Sequence, residues 1–247
     1  MKKKFAYPAI FLLMYSIFVI ALLPANWLLT QVKLPKNISI SGLEGTIWRA
    51  KVDQVYIDGV VIERVHTALS LVSVLMLDPK FEVHFGDALV PGPEGQFAIK
   101  GLWSDITIED GQVNLAANVV SSRLNLAIDV VAHEQLQLSL TRYVMGTPLC
   151  QTLQGSLHWQ NAKITALDEQ VALGDLAAVL SCQQGELVAE IEPNNNLGLS
   201  YRAQIKSLQH FSGSGYLTPG DKFPEPLKAA LSFLGQADKQ GRYRLKN

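Results

Sequence analysis

The sequence predicts a mainly β protein: a single N-terminal transmembrane helix, then a curved, meandering antiparallel β-sheet domain with an internal repeat and one or two short helices. Three observations carry this. Residues 5–23 form a run without a charged side chain. From residue 38 onward apolar residues alternate with polar ones at period two, and Gly, Pro and Asp turns break the alternation roughly every 10–15 residues. A helical period returns near the C-terminus, in residues 226–235.

The apolar run follows Lys2, Lys3 and Lys4. At about 1.5 Å per residue its length matches a hydrocarbon core of about 30 Å. Its polar side-chain atoms belong to Tyr7, Tyr15 and Ser16, and Ser16 can bond back to its own helix. Pro8 falls in the first turn, where a missing N–H costs least. A cleaved signal peptide and a retained anchor compete for this stretch. Signal peptides have a shorter apolar region and small residues before the cleavage point. Here Leu23 stands where cleavage after Ala25 would need a small residue, which favours the anchor. The lysines hold residues 1–4 in the cytoplasm, residues 5–23 span, and Trp27 sits at the outer membrane–water boundary. Residues 24–37 read as a linker, and residues 38–247 as an exported β domain with repeat-like halves at about 38–145 and 146–247.

The chain has 247 residues, with 21 Lys+Arg against 22 Asp+Glu. That near-neutral balance, with no basic block after Lys4, argues against a nucleic-acid partner. Two cysteines, Cys150 and Cys182, are expected to form one disulfide in an oxidising compartment; two buried free thiols are the alternative.

The strands follow in order. Ile38 and Ile40 alternate with serines; Val55 and Ile57 flank Tyr56; Val61 resumes after the Asp58-Gly59 turn. Phe81, Val83 and Phe85 share a face, as do Phe97 and Ile99. Ile106 and Ile108, then Val113, Leu115 and Ala117, flank Asp110-Gly111 and read as a hairpin. Leu124 to Val130 and Leu136 to Leu140 continue the alternation. Leu187, Ala189 and Ile191 pair through the turn at 193–196 with Leu197, Leu199, Tyr201, Ala203 and Ile205, the clearest hairpin in the chain. Two stretches differ. Residues 70–77 are apolar on all sides and read as a buried short helix or a fully buried strand, too short to span a membrane. In residues 226–235, Leu227, Ala230, Leu231 and Leu234 fall on one helical face between Pro226 and Gly235. A short strand, residues 242–245, closes the chain.

One motif occurs twice. Leu43-Glu44-Gly45 leads to Trp48, and Leu153-Gln154-Gly155 leads to Trp159, roughly 110 residues later. Gly45 and Gly155 allow a tight bend, and the tryptophans cover a sheet edge. Chance similarity between two alternating segments is the competing reading. For Trp48, Trp103 and Trp159 a place in the core outweighs a place on an exposed interaction surface.

No catalytic, cofactor-binding or metal-binding set emerges. The five histidines, His66, His84, His133, His158 and His210, are dispersed, and His133-Glu134 lacks the second histidine of a zincin. Ser212-Gly213-Ser214-Gly215 lacks the order of a nucleophile elbow. Phosphate-binding glycine loops are missing as well. An enzyme is therefore not expected.

In sequence order, the anchor, Leu43-Glu44-Gly45-Thr46-Ile47-Trp48, the apolar stretch ending Leu75-Met76-Leu77, Gly215-Tyr216-Leu217, the Pro-led helix and Gly241-Arg242-Tyr243 resemble the type II secretion system protein N family. The resemblance covers essentially the whole chain, although Arg49-Ala50 stands where a glycine is expected soon after the first tryptophan. It implies a single-pass protein of the bacterial inner membrane with its bulk in the periplasm. It also implies a non-enzymatic accessory role in moving proteins across the outer membrane, with other type II secretion subunits and the lipid bilayer as partners. More distantly the chain is similar to AsmA-type proteins, which implies the alternative of a periplasmic module with a lipid ligand in an apolar groove.

Overall fold

The computed structural model describes residues 3–31, 37–57, 59–87, 89–90, 92–101, 106–122, 129–166, 168–207 and 210–246. They divide into two compact units, Met1–Glu94 and Gly95–Asn247.

The N-terminal unit begins with helix α1, Lys3–Ala21. As the sequence suggests, Ser16 spends its hydroxyl on its own helix, donating to the Leu12 carbonyl at 2.9 Å. Beyond α1, the amides of Leu22 and Leu23 donate to Phe18 and Ile20, which carries the helical path two residues further. Among the described residues no helix is long and apolar enough to cross a membrane. Residues 24–37, read as a linker, open with a second helix, α2, Ala25–Gln31; residues 32–36 lie outside the described residues.

Strands β1 (Ile38–Ser41) and β2 (Glu44–Thr46) share one edge of β3 (Arg49–Ile57). Ile38 stands opposite Ile57, and Thr46 opposite Arg49. The other edge of β3 pairs with β4 (Val60–Leu69), and β4 pairs with β5 (Lys80–Phe85), all antiparallel. Between β4 and β5 lies α3, Leu71–Leu75. This unit buries small side chains: Ala25, Ala50, Val52 and Val83.

The C-terminal unit contains β6 (Glu94–Lys100), β7 (Thr107–Ala116), α4 (Ala117–Ser121), β8 (Val130–His133) and β9 (Gln135–Met145). Then come β10 (Cys150–Ala166), β11 (Glu169–Gln183), β12 (Glu186–Ile191), β13 (Leu199–Ser207) and β14 (His210–Leu217). Helix α5 (Glu225–Lys228), a 3-10 helix (Ala229–Leu234) and β15 (Tyr243–Lys246) complete it. The strands line up as β6-β7-β9-β10-β11-β12-β13-β14-β15, with β8 beside the far part of β10.

The hairpin of β12 and β13 forms, with Leu187 opposite Ile205 and Ala189 opposite Ala203; Leu197, expected in its second strand, lies in the turn instead. Asn195 secures its turn: its side-chain oxygen accepts from the Leu199 amide at 3.0 Å and its amide nitrogen donates to the Leu199 carbonyl at 2.8 Å. Short polar side chains that copy backbone hydrogen bonds are what such turns need.

The expected hairpin at Asp110-Gly111 does not form. Strand β7 runs straight through, with Glu109 opposite Arg142 and Gly111 opposite Leu140. Asp110, at φ 53°, takes a left-handed backbone inside the strand, and the pairing with β9 keeps one register on both sides of it. Asp-Gly tolerates the positive φ that a tight hairpin needs, and here the strand itself carries it. Ala117, expected to continue the strand, begins α4 instead. Of the alternation expected over residues 124–130, residues 124–128 lie outside the described residues.

The main apolar cluster of this unit sits near the turn of the β10–β11 hairpin. Ala162, Val171, Leu173, Leu197 and Phe223 are buried there, and Trp159, Leu227 and Leu231 pack against them. The C-terminal helical stretch thus lays part of its expected apolar face on the sheet. Its second half winds as a 3-10 helix, so residues there recur every three rather than 3.6 positions. Leu234 turns partly outward and Phe233 is exposed. Elsewhere β12 and β13 are mostly half-buried, with Val188 the enclosed exception, so ladder hydrogen bonds and cross-strand pairs carry much of their order.

Candidate interaction surfaces

Cys150 and Cys182 are joined in a disulfide. It closes the open end of the β10–β11 hairpin, where the amides of Leu149 and Cys150 also donate to the Gly185 carbonyl. Cys150 is almost fully buried, and neither cysteine is free. Closing a loop of this size restricts the unfolded chain by about 3 kcal/mol in the chain-entropy account.

The two copies of the Gly–Trp motif occupy different local settings. Gly45 lies in β2 at φ 97°, and a Cβ there would stand 2.3 Å from the Arg49 carbonyl. Gly155 lies inside β10, and a Cβ would stand 2.6 Å from the Ser139 carbonyl. Both glycines therefore leave room for a backbone carbonyl. Both tryptophans donate their indole N–H to a backbone carbonyl distant in sequence. Trp48 reaches Ile20, at the end of α1, at 3.0 Å; Trp159 reaches His133, at the end of β8, at 2.8 Å. Each is half-buried rather than enclosed in a core. Trp103 lies outside the described residues.

At the N-terminal end, Trp27 in α2 is half exposed. Lys3 and Lys4 begin the chain's first helix, while Lys2 lies outside the described residues. Two further links tie the end of α1 to the sheet: the Ile47 amide donates to Leu23 at 3.0 Å and Pro24 bridges to Thr46; the Trp48 carbonyl in turn accepts from the Leu69 amide at 2.9 Å. The stretch at 70–77, expected to be buried, is a helical turn with Leu71, Val72, Leu75, Met76 and Leu77 all exposed. Apolarity around a short segment says that it wants an apolar neighbour, without saying whether the chain itself provides one.

The clefts of the C-terminal unit carry charged or amide side chains beside apolar ones. One of about 430 Å³ is lined by residues including Glu190, Glu192, Tyr201, Arg202, Tyr216 and Arg244. Arg202 spends its guanidinium on Glu190 and Gln183. A second, of about 320 Å³, carries His158, Gln160, Asn161, Asp175 and Asn195 beside Trp159. Near the C-terminus Arg242 stacks over Tyr216 at 4.4 Å and bonds Asp238 at 2.9 Å. The Arg242 backbone N–H, then its guanidinium and the Gln240 amide, hold the Asp238 carboxyl below the usual carboxylate range, with desolvation opposing. Among the described residues no group of His, Cys, Asp or Glu is placed to hold a metal ion. Strands β1 and β15 end the strand order, and each presents one edge with no neighbouring strand among the described residues.

The family described as Type II secretion system (T2SS), protein N, matches residues 36–246. The chain is similar to the Type II secretion system protein N of Aeromonas hydrophila, at 30% identity over 100% of this chain and 98% of that one. It is 27% identical to the protein of the same name from Vibrio cholerae, over 98% and 97% of the two chains, and 25% identical to that of Pectobacterium carotovorum, over 93% and 90%. No solved structure matches it. With a family match across nearly all of the β structure and full-length relatives under one name, the chain belongs to the type II secretion system protein N family.

Proposed function

We propose that this chain is a non-enzymatic accessory component of the type II secretion machinery. Residues 5–23 anchor it in the bacterial inner membrane, with the N-terminus in the cytoplasm and the β units in the periplasm. The observation that carries this reading is α1. Ile10, Phe11, Leu12, Leu13, Met14, Ile17 and Phe18 are all exposed, and they point to every side of the helix. A surface helix of a water-soluble domain buries one apolar stripe and wets the other; α1 has no polar face to wet, so lipid is the medium that suits it. Its 19 residues span about 28 Å, and the helical path through Leu23 lengthens it toward the thickness of a hydrocarbon core. The three lysines set the orientation, and Trp27 suits the outer interface. The disulfide fits an oxidising compartment.

The mode of action is contact with other secretion subunits. Edges β1 and β15 offer unpaired backbone groups for strand addition, and Arg244 and Lys246 give β15 a charged outer side that discourages indiscriminate pairing. A lipid-handling role would call for an apolar cleft, whereas the clefts described above carry amides and charges. Photoreactive residues placed through 38–41 and 243–246 in living cells test the contact role. Adducts with other secretion subunits are expected; adducts with unrelated envelope proteins alone would contradict it. Release of the chain from membranes by alkaline extraction would contradict the anchor.

A further inference from the structure

The turn between β4 and β5 is apolar and exposed. We propose that residues 71–77 form a second membrane contact that dips into the outer leaflet of the bilayer crossed by α1, and this rests on the anchor reading given above. The segment is built to show lipid only hydrocarbon. Leu71, Val72, Leu75, Met76 and Leu77 are exposed, Leu75 and Leu77 at 84% and 91%. The two serines are turned back into the loop. Ser70 accepts from the Ser73 amide, and the Ser73 hydroxyl donates to the Ser70 carbonyl at 2.7 Å and accepts from the Lys80 amide at 2.8 Å. The Asp78 amide donates to the Ser73 carbonyl at 2.9 Å, and the Ser70 amide to the Lys80 carbonyl at 3.1 Å. The turn is thus a closed polar framework with an aliphatic outer surface, and an apolar patch of this kind on an exported domain marks an interaction site.

The identity of the occupant follows from where the turn is held. Trp48 donates its indole proton to Ile20 at the end of α1, and its carbonyl accepts from Leu69, two residues before Leu71. One tryptophan therefore ties the end of the apolar helix to the start of the apolar turn. With α1 in lipid, its C-terminal end lies at the outer interface, and residues 71–77 are kept beside it. Short apolar segments bury about 5–10 Å into the headgroup–acyl boundary. No charged side chain lies between Ser70 and Leu77, so the contact is with acyl chains and does not depend on anionic headgroups or on salt. Besides adding affinity, a second contact would fix the rotation of the N-terminal unit above the membrane, which a single helix leaves free.

The test uses the full chain in nanodiscs of phosphatidylethanolamine and phosphatidylglycerol, carrying a photoreactive residue at Leu12, at Leu75 or at Leu77. Lipid adducts at Leu12 report the anchor, and those at Leu75 and Leu77 report the second contact. Yields at Leu75 and Leu77 of the same order as at Leu12, unchanged by salt, are expected. Adducts at Leu12 with yields at Leu75 and Leu77 about tenfold lower, or protein adducts in place of lipid when the probes are activated in cells, would overturn the second contact and leave the anchor standing. Absence of lipid adducts at Leu12 would overturn both. As an independent check, Leu75→Ser with Leu77→Ser changes only exposed side chains, so unfolding of the detergent-solubilised chain should be unchanged while the lipid yield from a probe at Met76 falls several-fold. An unchanged yield would count against the proposal.

Discussion

Trp48 and Trp159 each follow a glycine that yields its Cβ space to a carbonyl, and each gives its indole proton to a carbonyl distant in sequence, 28 and 26 residues earlier. What lies under them differs. Trp159 packs on Ala162, Leu173 and Phe223, inside a hairpin closed by a disulfide. Trp48 stands in a unit whose buried side chains are small, and its bonds run to the end of α1 and to Leu69. One local motif thus serves packing in one unit and attachment of a helix to a sheet in the other. The lesson is that the motif prescribes a hydrogen bond and a bend, while the surroundings decide what these accomplish.

That contrast breaks most readily at the disulfide. Replacing both Cys150 and Cys182 by Ser should cost the C-terminal unit about 3 kcal/mol. Hydrogen exchange should show protection falling in β10 and β11 while β3 and β4 keep theirs; equal losses in both would mean the units do not differ as described. Next in size, Trp159→Ala should destabilise the same unit by about 2–3 kcal/mol in urea unfolding, since it removes packing as well as a bond. Gly45→Ala places a Cβ at φ 97° against the Arg49 carbonyl. About 1–3 kcal/mol is expected from that strain, read as lost protection in β2 and β3; an undisturbed β2–β3 pairing would show that the bend tolerates a side chain.

Trp48→Phe keeps a ring and loses the bond to Ile20. It should cost about 1 kcal/mol or less in global stability, yet raise exchange at Ile47 and Leu69, which flank the attachment. A large global loss would show instead that Trp48 acts as a core residue. The smallest effect concerns Asp238. Its folded pKa is depressed, so its contribution is present above the unfolded carboxylate value, about pH 3.9, and is lost as pH falls through the folded value. Asp238→Asn should flatten that acid limb slightly and leave stability at neutral pH nearly unchanged, because the group is exposed. A strengthened acid dependence in the variant would give the opposite sign.

Much of the β architecture was legible because period two is a direct consequence of the pleat. The β12–β13 hairpin shows this best: clean alternation on both sides of a Pro-Asn turn marks the two strands, although the turn reaches past Leu197, which the alternation places in the second strand. Asp110-Gly111 reads as a hairpin because Asp-Gly tolerates φ above zero, yet a continuous strand carries that conformation too, and only the partner strand decides between them. The C-terminal helix was half legible, since Leu227 and Leu231 pack as their spacing implies while 3-10 winding moves Leu234 off the face. Residues 70–77 were read as interior from their composition, but their setting depends on a medium the sequence does not name. The candidate contact site was least legible. Nothing in the spacing of Ile20, Trp48 and Leu69 announces that one tryptophan joins them, through its indole to Ile20 and its backbone carbonyl to Leu69; that arrangement is tertiary.

The role proposed for this chain is one in secretion that depends on contact at the membrane. It is tested most directly by measuring exoprotein in the medium, and the assembly of the other secretion subunits, in cells lacking this chain. Complementation should use the intact chain, or one in which an unrelated span of equal length replaces residues 5–23. Loss of export or of subunit assembly, restored by the intact chain and only incompletely by the replaced span, is the predicted result. Export and assembly unchanged by removal of the chain would contradict it.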